Sequence, residues 1–215
     1  MTPPLAQRLA SVRERIGRTG RDPDDIVIVA VTKGFGIETC REAMEAGLKV
    51  LGENRVHEAK LKMDALPEAE WHLIGHLQTN KVRQAAGHFA LIHSVDSVRL
   101  AGELARVEPE QAILLEVNVA REAQKHGVEP DKALDAAKAV SELLTLRGLM
   151  AMGPSEGDPT PAFKELRRIR DEAQERLGMS LPVLSIGMSA DFEAAVKAGS
   201  TMVRLGQVLF GTRPS

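Results

Sequence analysis

One regularity constrains this chain more than any other: short apolar runs of strand length alternate with stretches of helical spacing, eight times over. The runs cover 26–31, 48–51, 71–74, 90–93, 112–117, 146–150, 183–186 and 201–205. Helical periodicity covers 37–46, 54–65, 78–86, 96–107, 130–143, 160–177 and 189–198 between them. Such alternation specifies parallel strands joined by right-handed crossovers, and eight units suffice to close a barrel. A doubly wound open sheet shares the pattern. The barrel is preferred because the units are similar in size, no G-x-G-x-x-G turn is present and no composition break marks a boundary. The expectation is an α/β chain forming a single (β/α)8 TIM barrel over 1–215. An additional N-terminal helix precedes it, because Leu5, Leu9, Val12 and Ile16 make one apolar stripe that stops at Gly17. The last run is followed closely by Phe210-Gly-Thr-Arg-Pro-Ser215. The final outer helix is therefore expected to be short or missing, with the N-terminal helix covering the gap.

Composition removes several function classes. A formal charge of −2, from 28 basic and 30 acidic residues, leaves no electrostatic footprint for nucleic acid or an anionic membrane. No signal pattern opens the sequence and no apolar run reaches the roughly 20 residues of a membrane span. A cytoplasmic protein is expected, and the lone Cys40, spaced as core with Ile37, Met44 and Leu48, agrees with a reducing compartment. With no leftover apolar stripe, a monomer or weak dimer is expected. There is no tyrosine, so no phenol of this chain can act as acid or base.

The first run ends in Thr32-Lys33 before Gly34-Phe-Gly36, which puts an amine at a strand's carboxyl end. That edge is where α/β folds bind ligands. Taken alone, Lys33 reads more readily as a solvated strand end whose stem covers apolar surface than as a reactive amine. The other strand ends supply Gly52-Glu-Asn54, Gly75-His76, Ser94 with Asp96, Asn118, Met150 to Met152, Gly187-Met-Ser189 and Arg204-Leu-Gly206-Gln207. This set is rich in donors. Ser189 is placed to cap the helix that follows, and exposed amides there and after the eighth strand would hold phosphate, although Ser189 as a cap alone is an even alternative. The connections at 118–130 and 153–161 are long enough to be lids or binding loops, or else disordered segments.

His72 and His76 would lie about 13 Å apart along an extended strand and cannot share an ion. His57, His88, His93 and His126 read as scattered, with His57 and His88 on helix surfaces or ends, so no metal site is expected. A nucleotide-hydrolase phosphate loop and a G-x-S-x-G elbow are both missing. A partly desolvated lysine beside a phosphate site suits a phosphorylated aldehyde, either a sugar phosphate or pyridoxal phosphate.

Ala30-Val-Thr-Lys33, Gly52-Glu-Asn54, Trp71-His-Leu-Ile-Gly-His-Leu-Gln-Thr-Asn-Lys81, Leu115-Glu-Val-Asn118, Lys125-His-Gly127, Gly148-Leu-Met-Ala-Met152, Leu184-Ser-Ile-Gly-Met-Ser189-Ala-Asp191 and Val203-Arg-Leu-Gly206 resemble, in order, the motifs of the pyridoxal phosphate homeostasis proteins. The resemblance implies a barrel similar to the alanine racemase cofactor domain, with pyridoxal 5'-phosphate held as a Schiff base on Lys33. It also implies that Ser189, the backbone around Met188, Gly206 and Gln207 hold the phosphate, that Arg204 faces the pyridine nitrogen, and that Asn54 and His76 lie near the ring. His76 stands where many relatives carry another residue. An arginine opposite that nitrogen makes the ring a weak electron sink. The expected function is therefore intracellular storage, buffering or delivery of the cofactor to the apoenzymes that use it, with no catalytic residues and little or no turnover. An amino-acid racemase or another pyridoxal phosphate enzyme is the alternative, and a phosphosugar lyase a third.

Overall fold

In the computed structural model, which describes residues 3–212, eight parallel strands close into a barrel in the order of the sequence. Residues 213–215, the tip of the Phe210–Ser215 ending, lie outside the described residues. The strands are β1 (Val27–Val31), β2 (Val50–Glu53), β3 (Glu70–Leu73), β4 (Leu91–Val95), β5 (Ala112–Glu116), β6 (Thr145–Met150), β7 (Val183–Ser185) and β8 (Met202–Leu205). Closure comes from β8 pairing with β1 at Val29↔Arg204 and Ala30↔Leu205. The open-sheet alternative is thereby excluded.

The β1 segment shows why an unbroken apolar run was needed. Ile28 to Val31 are all buried, because a barrel strand packs one face inward and the other against helices. Two apolar clusters result. Val29, Leu91, Leu114, Met150 and Met202 form the inner one, while a larger cluster joins the strands' outer faces to the helices.

The helices are α1 (Leu5–Gly17), α2 (Ile37–Glu45), α3 (Val56–Met63), α4 (Val82–Ala85), α5 (Val98–Ala105), α6 (Ala133–Ser141), α7 (Thr160–Leu177), α8 (Phe192–Ala198) and α9 (Gln207–Phe210). As expected, the element after β8 is a single turn and α1 lies beside it. On α1, Leu5, Leu9, Val12 and Ile16 are buried. Arg15 pairs with Glu193 of α8 at 2.7 and 3.1 Å, and its guanidinium sits 4.4 Å over the Phe192 ring.

Most boundaries shift by a residue or more, and three of the shifts bear on the site. Strand β2 runs two residues past Leu51, because Gly52 and Glu53 continue the ladder opposite His72 and Leu73. A glycine inside the run is read as a stop in sequence, yet here its missing side chain makes room for Val29 and Ile74. Strand β4 extends to Val95, so Ser94 lies within it and its hydroxyl donates to the Gly75 carbonyl at 2.6 Å. Finally, α8 begins at Phe192 rather than at 189, with Asp191 at its N-cap position. Ser189 therefore does not cap that helix. Its hydroxyl instead accepts from the Val208 amide at 3.2 Å.

Candidate functional site

A cavity of about 700 Å³ opens at the carboxyl ends of the strands, within the ~300–1,000 Å³ usual for small-molecule sites. All eight sequence-predicted residues line it: Lys33, Asn54, His76, Met188, Ser189, Arg204, Gly206 and Gln207. Their roles depend on what holds each one.

Lys33 is half-buried and follows a residue that is fixed from below. The Thr32 hydroxyl donates to Glu53 at 2.7 Å, and Lys62 of α3 donates both to Glu53 (2.5 Å) and to the Thr32 carbonyl (2.9 Å). Glu53 is fully buried and Lys62 nearly so. The hydroxyl and carbonyl of Thr32 are thus both gripped by a buried ion pair, which sets where the chain turns outward with Lys33. Nothing in the apolar pattern signals this pair, since Glu53 reads as a loop residue and Lys62 as an ordinary helix surface.

Arg204 enters from β8 and is almost wholly buried. One guanidinium nitrogen donates to the Ser185 carbonyl and hydroxyl, each at 2.7 Å, and another to the Ala151 carbonyl at 2.9 Å. Burial lowers its pKa to about 10, so it remains a cation at neutral pH. Three acceptors from two neighbouring strand ends hold the guanidinium in one orientation.

Glu116, at the end of β5, also lines the cavity and was not anticipated. Burial pushes its pKa up to about 7, opposed by the nearby Arg204 charge and reinforced by Asp96. An acid buried among apolar strands disfavours its charged form. The signal was present in Leu115-Glu-Val-Asn118, but the apolar run hid which face the glutamate takes.

Between β7 and β8 the loops are joined. The Met188 amide donates to Asp191 at 2.6 Å, and the Ser189 hydroxyl bridges to Val208 in the first turn of α9. Gly206 and Gln207 stand at that turn's start, where backbone amides lack intrahelical acceptors. Across the cavity, Gly75 follows β3 so closely against Asn54 that a β-carbon there would sit 2.3 Å from the Asn54 carbonyl oxygen. Glycine at that point brings Asn54 and His76 to the same rim.

The histidines are not scattered as expected. His93 lies 2.9 Å from His72 inside the barrel, and His126 stacks on His76 with ring centroids 3.7 Å apart. The barrel brings strand interiors together, and the loop after β5 folds back over the rim; neither is visible from spacing. His57 and His88 are exposed on or just after helices, as read. The two long loops are ordered against each other rather than loose. Lys125 donates to the Gly153 carbonyl at 2.5 Å, and Glu122 accepts from the Ser155 amide and hydroxyl at 2.7 Å. Those two Ser155 donors draw the Glu122 pKa down to about 2. Cys40 is fully buried and its thiol is pushed up by that burial, consistent with core.

Comparison with known proteins now adds to the geometry. The family model described as the alanine racemase N-terminal domain matches residues 5–214. The pyridoxal phosphate homeostasis protein of Aquifex aeolicus is 42% identical over 222 residues, covering 96% of this chain and 97% of that protein. The Escherichia coli K12 protein of the same name is 38% identical, covering 97% of each. Among solved structures, PipY of Synechococcus elongatus with pyridoxal phosphate bound superposes with a TM-score of 0.84 at 35% identity, over 96% of this chain and 100% of PipY. An alanine racemase of Clostridium difficile in complex with cycloserine superposes at 0.78 with 15% identity, over 99% of this chain and 60% of the enzyme, a likeness of fold alone. With relatives this similar over nearly the whole length of both partners, the chain belongs to the pyridoxal phosphate homeostasis protein family, built on the alanine racemase N-terminal-domain barrel.

Proposed function

We propose that this chain is a carrier for pyridoxal 5'-phosphate, attached covalently through Lys33, that stores, buffers or delivers the cofactor in the cytoplasm to the apoenzymes that need it. The observation that supports the reading is the joint placement of the Lys33 amine, the buried Arg204 cation and Ser189, Gly206 and Gln207 around one cavity. The residues present fit the group. Ser189, Gly206 and Gln207 would hold the phosphate, joined by the Met188 amide once it exchanges its bond to Asp191, Arg204 would face the ring nitrogen, and Asn54 and His76 would flank the ring. When bound, the cofactor supplies an aldehyde carbon and an electron-withdrawing ring.

Each of this chain's residues then has a limited task. The Thr32–Glu53–Lys62 contacts fix the approach of the Lys33 amine. Arg204 stays protonated, so it donates rather than accepts and leaves a pyridine nitrogen without a proton. No phenol of this chain stands ready to take a proton, because it contains no tyrosine. Relatives named for pyridoxal phosphate homeostasis, and PipY solved with that cofactor, support the reading. A second reading, slow amino-acid turnover, is favoured by Glu116, whose pKa of about 7 makes it a titratable group on the cavity wall.

Purified protein should be yellow, and borohydride should fix the cofactor's mass on the peptide containing Lys33. Lys33→Ala should lose that absorbance while retaining weaker, reversible binding through the phosphate side. A colourless protein that gains no visible band with added pyridoxal phosphate would refute the proposal. Deuterium exchange at an amino acid's α-carbon faster than roughly 1 per second would move the assignment to an enzyme.

A further inference from the structure

His76, besides flanking the cofactor site, belongs to a cluster of three side chains on the rim, and the other two have no part in cofactor binding. His76 follows β3, Asp96 follows β4, and His126 lies in the loop after β5, so successive strand ends each supply one donor. The His76 Nδ1 is 3.3 Å from Asp96 Oδ2, the His126 Nδ1 is 3.8 Å from the same oxygen, and all three donor atoms fall within 4.8 Å of one another. The two rings are stacked 9° from parallel. The other Asp96 oxygen accepts from the Ser97 hydroxyl at 3.2 Å, which turns Oδ2 toward the imidazoles.

These distances discriminate between two explanations. A charge-assisted hydrogen bond from a histidine to a carboxylate would be about 2.7–2.9 Å long, and both contacts exceed that. Ligands held about 2.0–2.1 Å from a tetrahedral ion are about 3.3–3.4 Å apart, which matches the His76 contact; His126, whose exposed ring is stacked on that of His76, would have to turn out of the stack for its nitrogen to face the same ion. The loop carrying His126 is held in place: the Asn118 side-chain amide donates to the carbonyls of Glu122 and Lys125, and Lys125 is tied to Gly153.

We infer that His76, Asp96 and His126 form a binding site for a borderline divalent transition-metal ion of the zinc class at the mouth of the cavity. Two imidazoles and one carboxylate suit such an ion, whereas magnesium and calcium prefer all-oxygen shells. Three protein ligands leave a tetrahedral ion one further position, open to water or to a ligand atom at the cavity rim that His76 and His126 line. Occupancy would tie the ends of β3 and β4 to the loop after β5. The site does not rest on the cofactor reading, since neither Asp96 nor His126 is assigned a part in it.

The test is calorimetric titration of untagged, chelator-treated full-length protein with Zn²⁺, repeated with Asp96→Asn and His126→Ala. Wild type should bind one ion with a dissociation constant on the order of micromolar or tighter, and each variant should bind at least about tenfold more weakly. Co²⁺ should give the intense visible bands of a four-coordinate ion, and excess Mg²⁺ should not compete. Asp96→Asn keeps the side chain's shape, so a folding defect in His126→Ala leaves the question decidable. Failure to saturate by about 1 mM Zn²⁺, variants that bind like wild type, or displacement by Mg²⁺ would each overturn the inference.

Discussion

Replacing Glu116 with glutamine should convert a pH-dependent stability into a flatter one, with a size that follows from the residue's burial. Glu116 is 3% exposed, and its pKa rises from 4.5 to about 7. At 1.36 kcal/mol per pH unit that rise corresponds to about 3 kcal/mol. The sign follows from proton counting. Between pH 4.5 and 7 the folded protein holds a proton that the unfolded chain releases, so stability falls as pH rises through that window and is steady on either side. Glutamine keeps the size and one acceptor but cannot titrate. The unfolding free energy of wild type minus that of Glu116→Gln should therefore drop by about 3 kcal/mol from pH 4.5 to 7.5, while other groups cancel in the difference. Urea unfolding can be followed through the single tryptophan, Trp71, which is buried with its Nε1 donating to the Leu66 carbonyl at 3.2 Å. A difference that stays within about 0.5 kcal/mol over that range, or grows with pH, would show that Glu116 is ionised in the folded protein and that the account of its environment is wrong.

Other perturbations reach different parts of the same scaffold. Lys62→Met leaves Glu53 buried without its cation and should cost about 3–5 kcal/mol, lowering the melting temperature by roughly 6–20 °C; a loss under about 1 kcal/mol would contradict the buried pair's role. Gly148→Ala should destabilise by more than about 2 kcal/mol in urea titrations, because φ is +154° and an added β-carbon would lie 1.8 Å from the Val183 carbonyl oxygen; near-wild-type stability would mean β6 and β7 can separate freely. His93 is held neutral, well below its ordinary 6.5, chiefly by burial, with its neighbours His72 and Arg204 acting in the same direction. The unfolded chain thus takes up that proton first as pH falls below 6.5. The advantage of wild type over His93→Gln should shrink on acidification from pH 7 to 5, and a constant advantage would place the histidine's titration elsewhere.

The barrel was readable because it depends on a repeated one-dimensional signal. Each strand needs two apolar faces and each helix one, so runs and stripes recur even when individual boundaries slip by two residues, as at Leu51 and His93. The carboxyl-edge residues were readable for the same reason, since a strand's end in sequence is its end in space. What could not be read is which residues inside a run face the barrel axis. His72, His93, Ser185 and Arg204 belong to four different runs, and only closure brings them into contact. The same holds for Glu53 with Lys62 and for His76 with His126, where a helix or loop returns to a strand from a distance that periodicity does not encode. Ser189 illustrates the opposite error. Its local sequence suits a helix cap, but a tertiary partner, the Val208 amide, takes its hydroxyl.

Those four interior residues also explain how a barrel core carries a cation. The Ser185 hydroxyl accepts from Arg204 at 2.7 Å, so its one proton is available to His93 Nδ1 at 3.1 Å. His93 must then carry its proton on Nε2, which lies 2.9 Å from His72 Nδ1. His72 in turn carries its proton on Nε2, 2.9 Å from the half-exposed Glu70 carboxylate at the opposite end of the barrel. Each tautomer is assigned by its neighbour, and each group donates in the same direction, from the buried cation toward an anion at the surface. The bond from His72 holds Glu70 below the usual carboxylate range, which keeps that end negative. The polarised chain offers Arg204 a negative end at every step without placing a second full charge beside it, so the guanidinium stays charged and oriented. Glu116, which could have supplied that charge directly, is thereby left free to be neutral or ionised near pH 7, and the cavity keeps one titratable wall next to one permanent cation.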